Sequence, residues 1–326
     1  MRYCRFWRPE VKGNSLPAVV CLSGPTACGK TALSIEVAKS IGAEIISVDS
    51  ALIYRGMDIG TAKPNADEMA GIAHHLIDIK NPDEPYSAAD FRNDAMRLIR
   101  DISARGAVPF LVGGTMLYLK ALLEGISDLP QSDPVVRERL TKDAAVLGIP
   151  ALHARLKDID PASWERIKPN DAQRTLRALE VWETSGKSLT ELTNDSKAVP
   201  YEGRVLHYAL MPTDREALRT KIGIRFDSML ESGFAEEAAA VAARFQNRDL
   251  PSLRSVGYRQ FIEYLDGKLS YEEMIFRAKV ATCQLAKRQI TWLRGWKLPV
   301  EFLEPGNDRN KDIMISGIKS FLAENL

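Results

Sequence analysis

Residues 24–31 have the residue types and the spacing of a phosphate-binding loop, G-x-x-x-x-G-K-[ST]. An apolar run at 18–22 predicts a buried strand before the loop, and apolar spacing over 31–40 predicts a helix after it. In this setting the backbone N–H groups and the helix N-terminus point at one anion. The loop therefore predicts that the chain binds a di- or triphosphate, without saying which one or what is transferred. Its members are Gly24, Pro25, Thr26, Ala27, Cys28, Gly29, Lys30 and Thr31.

Three side chains in or near this loop are candidates for chemistry. Lys30 supplies a positive charge for the terminal phosphates, and the Thr31 hydroxyl is placed for a magnesium ion. Asp49 follows a predicted strand at 43–48, and ligands of open α/β sheets bind beyond the carboxyl ends of strands. A carboxylate there can accept a proton or hold magnesium through water. Asp is also a common N-cap, but the strand-end position favours the chemical role.

Strand and helix patterns alternate over the first part of the chain. Further strands are predicted at 76–79 and 107–112 and a helix at 87–105, and ligand groups follow strands at 24–31, 49–50 and 113–115. This order predicts an α/β fold, with a P-loop NTPase-like parallel sheet flanked by helices. His74 and His75 lack further ligands nearby in sequence and make a poor metal site.

The pattern changes at about residue 125. Helix-like segments separated by Pro and Gly, with no convincing strand, continue to residue 200. We expect an all-helical insertion domain at 125–200, within a core domain made of 1–124 and 201–326. Arg174 and Arg177 share one face of a predicted insertion helix, and on the residues alone a solvated face is the preferred interpretation.

Two basic stretches have roles that the residues alone leave open. The helix predicted after a strand at 205–211 carries four cations, and any one of them could swing toward the phosphates. The stretch 271–297 holds six cations and two acids, with two Trp residues among them. RNA binding and the packing of an amphipathic basic helix explain this second pattern equally well. The four cations are Arg215, Arg219, Lys221 and Arg225.

The bulk composition limits the class of protein. The chain has 326 residues, of which 45% are hydrophobic, and a net charge of +1, so any nucleic-acid surface must be a local patch. No apolar run approaches the roughly 18 residues of a membrane span, and residues 2–8 lack the apolar core of a signal peptide. Four separated cysteines disfavour a disulfide framework or a zinc site. We expect a cytoplasmic monomer that does not associate with membranes.

Three classes of function remain at this point. The first is a small-molecule kinase that binds ATP or another nucleoside triphosphate. The second is a transferase in which the loop holds a diphosphate leaving group and RNA is the acceptor. The third is a non-catalytic RNA-binding protein. The insertion and the basic stretches disfavour a plain metabolite kinase, whereas Asp49 disfavours a pure binder.

Six sequence blocks resemble the bacterial tRNA dimethylallyltransferase (tRNA isopentenyltransferase) family, in the order in which they occur in that family. One departure lies in the loop, where Cys28 stands in place of the usual Ser. Since the loop acts mainly through backbone N–H groups, we expect this exchange to be tolerated. The blocks are the loop at 24–31, SVDS at 47–50 with YRGMDIGTAKP at 54–64, LVGGTMLY at 111–118, NDAQR at 170–174 with RALE at 177–180, VGYRQ at 256–260 and KRQITW at 287–292.

The resemblance implies a specific reaction. Members of that family transfer a dimethylallyl group from dimethylallyl diphosphate to N6 of adenosine-37, 3′ of the anticodon, in tRNAs that read UNN codons. They use Mg²⁺ and release diphosphate, and the adenine leaves its stack to reach the site. By resemblance, Asp49 is the base, Thr26 lies over the diphosphate, and Lys30 and Arg225 stabilise the leaving group.

The resemblance also implies which residues contact the tRNA anticodon stem-loop, with the insertion holding it against the core. On the core these residues are Asp49, Ser50, Ala51, Leu52, Thr115, Arg254, Ser255, Val256, Gly257, Tyr258, Arg259, Lys287, Arg288, Gln289, Ile290, Thr291, Trp292, Leu293 and Arg294. On the insertion they are Arg137, Gln173, Arg174, Thr175, Leu176 and Arg177.

Overall fold

The computed structural model describes residues 16–127, 129–196 and 198–324. The expectations for residues 2–8 lie outside these ranges. The chain divides into two compact units, the first made of residues 1–122 and 201–326 and the second of residues 123–200. No helix of the described part is long and apolar enough to cross a membrane.

The first unit is built on a parallel sheet with the order β3-β2-β4-β1-β5-β6. The strands are β1 (Val19–Ser23), β2 (Ala43–Val48), β3 (His74–His75), β4 (Val108–Gly113), β5 (Val205–Leu210) and β6 (Glu301–Leu303). The helices of this unit are α1 (Lys30–Ile41), α2 (Ala66–Met69), α3 (Ala88–Ala104), α4 (Met116–Leu123), α10 (Arg215–Glu231), α11 (Phe234–Ala243), α12 (Tyr258–Leu265), α13 (Tyr271–Arg294) and α14 (Asn310–Ala323).

The central strand β1 explains why the sheet is stable and where ligands bind. All five of its residues are buried, which is the pattern of a strand covered on both faces. It pairs with β4 on one side and with β5 on the other. Because every strand runs the same way, the segments that follow β1, β2 and β4 emerge at one edge of the sheet.

One predicted strand is wrong. The pairing to β2 is made by His74 and His75, and the predicted strand at 76–79 does not form. Leu76 and Asp78 have φ values of 62° and 54°, which lie in the left-handed region and cannot continue a strand. The two histidines have structural partners: His74 Nδ1 bonds the Ile72 carbonyl at 2.9 Å, and His75 Nε2 bonds Glu44 at 2.7 Å.

The regular secondary structure in the described part of the second unit is all helical, and the unit has a core of its own. Leu140, Leu152, Leu156 and Leu179 are fully buried in that core. The bounds predicted for the insertion, 125–200, lie within two residues of those of the unit. Its helices are α5 (Pro134–Leu147), α6 (Ile149–Ile159), α7 (Pro161–Arg166), α8 (Ala172–Ser185) and α9 (Leu189–Asp195).

Candidate functional site

The ends of β1, β2 and β4 bring three sequence-distant segments side by side. In the strand register Gly113 faces both Ser23 of β1 and Val48 of β2. A Cβ atom at Gly113 would lie 2.1 Å from the Val48 carbonyl oxygen, so only glycine permits this approach. Therefore the phosphate-binding loop, Asp49 and Gly114 follow strand ends that lie side by side at one edge of the sheet.

The loop has the backbone of an anion cradle. Ala27 and Gly29 adopt positive φ values of 61° and 87°, which turn the chain sharply before α1 begins at Lys30. No side chain caps the first turn of α1, so its N–H groups remain available to an anion. Lys30 Nζ folds over the loop and donates to the carbonyls of Gly24 at 2.9 Å and Pro25 at 2.7 Å.

The loop forms one wall of a cavity of about 480 Å³, a volume suited to a small-molecule ligand. Thr26 to Thr31 line the polar end together with Asp49 and Arg225. The rest of the lining mixes polar and apolar side chains. Its apolar members are Ala32, Ile45, Leu52, Ala62, Pro64, Ile77 and Val112.

Asp49 lies in this cavity beside two cations. Its Oδ1 accepts the Ala51 N–H at 2.8 Å, which fixes the carboxylate against the turn that follows β2. Burial raises the pKa of Asp49 above its usual value, and the hydrogen bonds together with Lys30 and Arg225 offset part of that rise. A carboxylate with a raised pKa is a stronger base. The hydrogen bond to Ala51 shows that Asp49 holds the turn, and its role as the base stays a prediction.

Arg225 is the cation of α10 that contacts the loop. Its Nη2 donates to the Thr26 hydroxyl at 2.6 Å. Lys221 also lines the cavity, whereas Arg215 and Arg219 are exposed and Arg219 pairs with Glu216 at 2.6 Å. Burial lowers the pKa of Arg225 and the nearby Asp49 charge opposes this shift. Two of the four cations, Lys221 and Arg225, therefore lie at the cavity, and Arg225 is the one in hydrogen-bond contact with the loop.

The donor set at the polar end suits a hard cation. Thr31, Ser47 and Asp49 all line the cavity, and Ser47 Oγ is buried without a hydrogen-bond partner. Mg²⁺ is bound by one or two oxygen side chains, with water and substrate phosphates completing its shell. Among the described residues no cluster of three His, Cys, Asp or Glu could hold a metal by itself. The residues present therefore fit a magnesium ion shared with a phosphate, and the role of Thr31 stays a prediction.

The residues expected to contact RNA fall into exposed and buried groups on the first unit. On α13, Lys287, Arg288, Thr291 and Trp292 line an open groove of about 390 Å³, and Arg294 is also exposed. Arg254 and Arg259 are exposed near the start of α12, with Ser255 and Val256 partly buried between them. In contrast, the side chains of Tyr258, Ile290 and Leu293 are buried in the core, so they cannot contact RNA.

Near Asp49, Ser50 and Thr115 are in contact, as expected for residues that follow the neighbouring strands β2 and β4. The Ser50 N–H donates to Thr115 Oγ1 at 3.0 Å. Leu52 lies inside the cavity, so its predicted RNA contact would be made there.

The residues of the second unit that are expected to contact RNA also fall into exposed and buried groups. Gln173 and Arg174 are exposed, whereas Thr175 and Leu176 are buried because they face the core of this unit. Arg137 and Arg177 are about one-third exposed, and both pair with the buried Glu180, at 3.6 Å and 3.1 Å. The contact predicted for Thr175 and Leu176 is therefore corrected to a packing role.

Sequence reasoning missed several members of the cavity. Ser47 belongs to the SVDS block but has no predicted role, because alternate residues of a strand look alike until the sheet is formed. Gln289 was assigned to RNA with its neighbours on α13, yet it lines the cavity. Its helical register, between the buried Ala286 and Ile290, is the signal that could have found it.

Comparisons with known proteins point to one family. A family model described as IPP transferase matches residues 52–296. The chain is similar to the tRNA isopentenylpyrophosphate transferase of Bacillus halodurans, with 39% identity over 95% of this chain and 96% of that chain and a TM-score of 0.67. The corresponding transferase of Staphylococcus epidermidis has 35% identity over 94% and 99% of the two chains and a TM-score of 0.66. A eukaryotic dimethylallyltransferase acting on tRNA has 27% identity over 94% and 80% and a TM-score of 0.76.

Proposed function

Because this chain belongs to the IPP transferase family, we propose that it transfers a dimethylallyl group from dimethylallyl diphosphate to N6 of an adenosine in tRNA. The resemblance drawn from the six sequence blocks is thereby confirmed at the level of the family. The finer proposal is that the acceptor is adenosine-37, 3′ of the anticodon, in tRNAs that read UNN codons.

The single observation that carries the proposal is that one cavity combines an anion-binding loop and cations with apolar side chains. The loop, Lys30 and Arg225 line it together with Ile45, Leu52, Ile77 and Val112. A diphosphate ester of a short branched hydrocarbon likewise combines a charged end with an apolar end. A nucleoside triphosphate would instead place a polar sugar and base against these apolar side chains.

Asp49 acts at the point where the two substrates meet. Attack of adenine N6 on C1 of the dimethylallyl group forms a C–N bond while the C1–O bond breaks, and the electron pair of that bond leaves with diphosphate. The amine proton passes to the Asp49 carboxylate. Because the lone pair of an exocyclic adenine amine is delocalised into the ring, a base that orients the amine and removes its proton raises the rate.

The cations serve the leaving group. Negative charge develops on the bridging oxygen, and Lys30, the loop N–H groups and Arg225 are positioned to stabilise it. The hydrogen bond from Arg225 Nη2 to the Thr26 hydroxyl, at 2.6 Å, holds the guanidinium beside the loop, where it stabilises this charge. A magnesium ion bound at Thr31 would neutralise phosphate charge in the same place.

The exposed basic groove of α13 supports RNA as the acceptor. Lys287 and Arg288 suit phosphates, and Trp292, which is 43% exposed, offers a face on which a base can stack. The acceptor adenine must leave its stack to enter the cavity, as in other enzymes that modify bases.

The proposal is tested with purified protein, Mg²⁺, an unmodified tRNA with an A-rich anticodon loop and radiolabelled dimethylallyl diphosphate. A parallel reaction contains γ-labelled ATP in place of the prenyl donor. We expect label from the prenyl donor in tRNA and none from ATP. Substituting the adenosine 3′ of the anticodon by guanosine should abolish the signal, and label in that variant would place the reaction elsewhere. Label that moves only from ATP would make the protein a kinase.

A further inference from the structure

Gln289 connects three parts of the cavity wall through its amide group. From α13 its Oε1 accepts the Thr26 N–H at 2.9 Å, and its Nε2 donates to the Gly114 carbonyl at 2.9 Å. Thr26 in turn accepts a hydrogen bond from Arg225 at 2.6 Å. A continuous chain of hydrogen bonds therefore runs from the end of β4, through α13 and the phosphate-binding loop, to α10.

The amide of Gln289 can adopt only one orientation. A flipped amide would set its oxygen against the Gly114 carbonyl and its NH₂ group against the Thr26 N–H, which loses both bonds. The packing is equally restrictive, because a Cβ atom at Gly114 would lie 2.4 Å from Gln289 Nε2. The glycine lets α13 approach the end of β4 closely enough for the bond to form.

Each polar end of the Gln289 amide thus has one partner within the protein. Its neighbours Arg288 and Trp292 face solvent in the α13 groove, but Gln289 is partly buried and lines the cavity instead. Direct contact with RNA, which the resemblance implies for this position, would have to use the remaining N–H or oxygen lone pair, at the cavity rather than in the groove. The geometry favours a role toward the loop.

We propose that Gln289 is a positioning residue that fixes Thr26, and through it Arg225, for the diphosphate of the donor. The inference rests on the proposed function and adds to it a physical link between the donor site and the RNA-facing helix. If Gln289 is a positioning residue, we expect its loss to weaken diphosphate binding by the loop while the fold is kept. A purely structural role would instead lower the stability of the fold.

The test uses Gln289→Met, which removes both hydrogen bonds and keeps an unbranched side chain of similar length. Calorimetry with Mg²⁺ measures the Kd of dimethylallyl diphosphate and, separately, of inorganic diphosphate. Fluorescence anisotropy measures the Kd of an unmodified anticodon stem-loop. We expect both diphosphate Kd values to rise about tenfold, as for the loss of one or two ordinary hydrogen bonds, and the RNA Kd to change less than about twofold.

A double-mutant cycle tests whether the effect passes through Thr26. Thr26→Val keeps the shape of the side chain and removes the hydroxyl that Arg225 contacts. If Gln289 acts by orienting Thr26, the two substitutions together should reduce kcat/KM for the donor by less than the product of their separate effects. The control is Gln246→Met, in an exposed loop between α11 and α12, which should leave every constant unchanged.

Three results would overturn the inference for Gln289. The first is a larger RNA Kd with unchanged diphosphate Kd values, and the second is no change in any constant. The third is a double mutant whose loss of kcat/KM equals the product of the two separate losses. The proposed function fails separately, if the wild-type protein transfers no prenyl group. The titration with inorganic diphosphate still decides the role of Gln289 in that case, because it needs no prenyl donor.

Discussion

At the scale of single residues, the candidate site combines functional demand with a cost in stability. Asp49 is held beside Lys30 and Arg225 in a cavity where burial raises its pKa. Raising the pKa of a base improves proton abstraction, but the folded state must then hold a charge that water would solvate better. The role proposed for Asp49 therefore carries a cost in stability.

Asp49→Asn should separate these two effects. We expect kcat to fall about 10²- to 10⁴-fold, because the amide cannot accept the N6 proton. The free energy of unfolding at pH 7 should rise, because the buried charge is gone. The gain should shrink as the pH falls through the raised pKa of folded Asp49 and should be absent below the ordinary Asp value of about 3.9, where the wild-type carboxyl is also neutral.

Urea denaturation between pH 3 and pH 8 and single-turnover kinetics measure the two quantities. The wild-type rate should fall as the pH decreases through the pKa of Asp49, whereas the residual rate of the variant should be flat there. Near-normal turnover by Asp49→Asn would contradict the assignment of the base.

At the scale of elements, a carboxylate on α11 holds the loop that forms one side of the cavity. Glu237 accepts the N–H groups of Asp58, Ile59 and Gly60 at 2.8, 2.8 and 2.9 Å, and the Tyr258 hydroxyl donates to it at 2.5 Å. Gly60 packs so closely that a Cβ atom there would lie 2.2 Å from the Phe234 ring. The next residues of this loop line the cavity.

Glu237→Gln should loosen this loop, because an amide carries no charge and offers one acceptor oxygen. We expect the free energy of unfolding to fall by about 1.5–3 kcal/mol, as for hydrogen bonds to a charged group, and KM for the donor to rise. The neighbouring Glu236 is exposed, and Glu236→Gln should change stability by less than about 0.5 kcal/mol. Equal effects of the two substitutions in urea denaturation would show that the loop does not depend on Glu237.

The α13 surface predicts a specific dependence on salt. Arg288→Ala should weaken tRNA binding and reduce the slope of log Kobs against log[salt] by about one, because one phosphate contact is lost. Arg277, on the same helix, pairs with Glu273 at 2.6 Å and lies outside the groove. Arg277→Ala should therefore leave the slope unchanged. An unchanged slope for Arg288→Ala, measured by anisotropy over a salt series, would remove this arginine from the interface.

At the scale of the whole molecule, the chain forms two units with separate cores. The first unit is made of two stretches of chain that share one sheet, since β5 and β6 join strands from before residue 123. The second unit is continuous in sequence and buries its own leucine-rich cluster. Continuity and an independent core are what a segment needs to fold by itself.

We expect a fragment of residues 123–200 to fold cooperatively with modest stability of about 3–5 kcal/mol, because a core of this size rarely supplies more. Circular dichroism and urea denaturation of the fragment measure this directly. The substitution Leu179→Ala, at a fully buried position, should unfold it, whereas Val146→Ala, at a position that is 84% exposed, should not. A fragment without helical signal would show that this unit needs the rest of the chain.

Features that depend on neighbouring residues could be predicted from the sequence. The phosphate-binding loop, the position of Asp49 after β2 and the approximate bounds of α1 and α3 follow from local spacing, and Asp171 caps the start of α8. The contacts of α13 and α10 with the loop required the tertiary structure. Gln289 and Thr26 are 263 residues apart, and Arg225 and Thr26 are 199 apart. No local pattern encodes such a pairing, because it depends on where parallel strands place the ends of distant segments.

Which of the predicted contacts are physically available depends on the packing of the folded chain. It buried Thr175, Leu176, Tyr258, Ile290 and Leu293, although they lie among residues expected to bind RNA. A continuous stretch of helix presents only some of its side chains to a ligand, since 3.6 residues complete each turn and the core claims one face. The sequence blocks predict the surface, and the helical geometry limits which side chains are available on it.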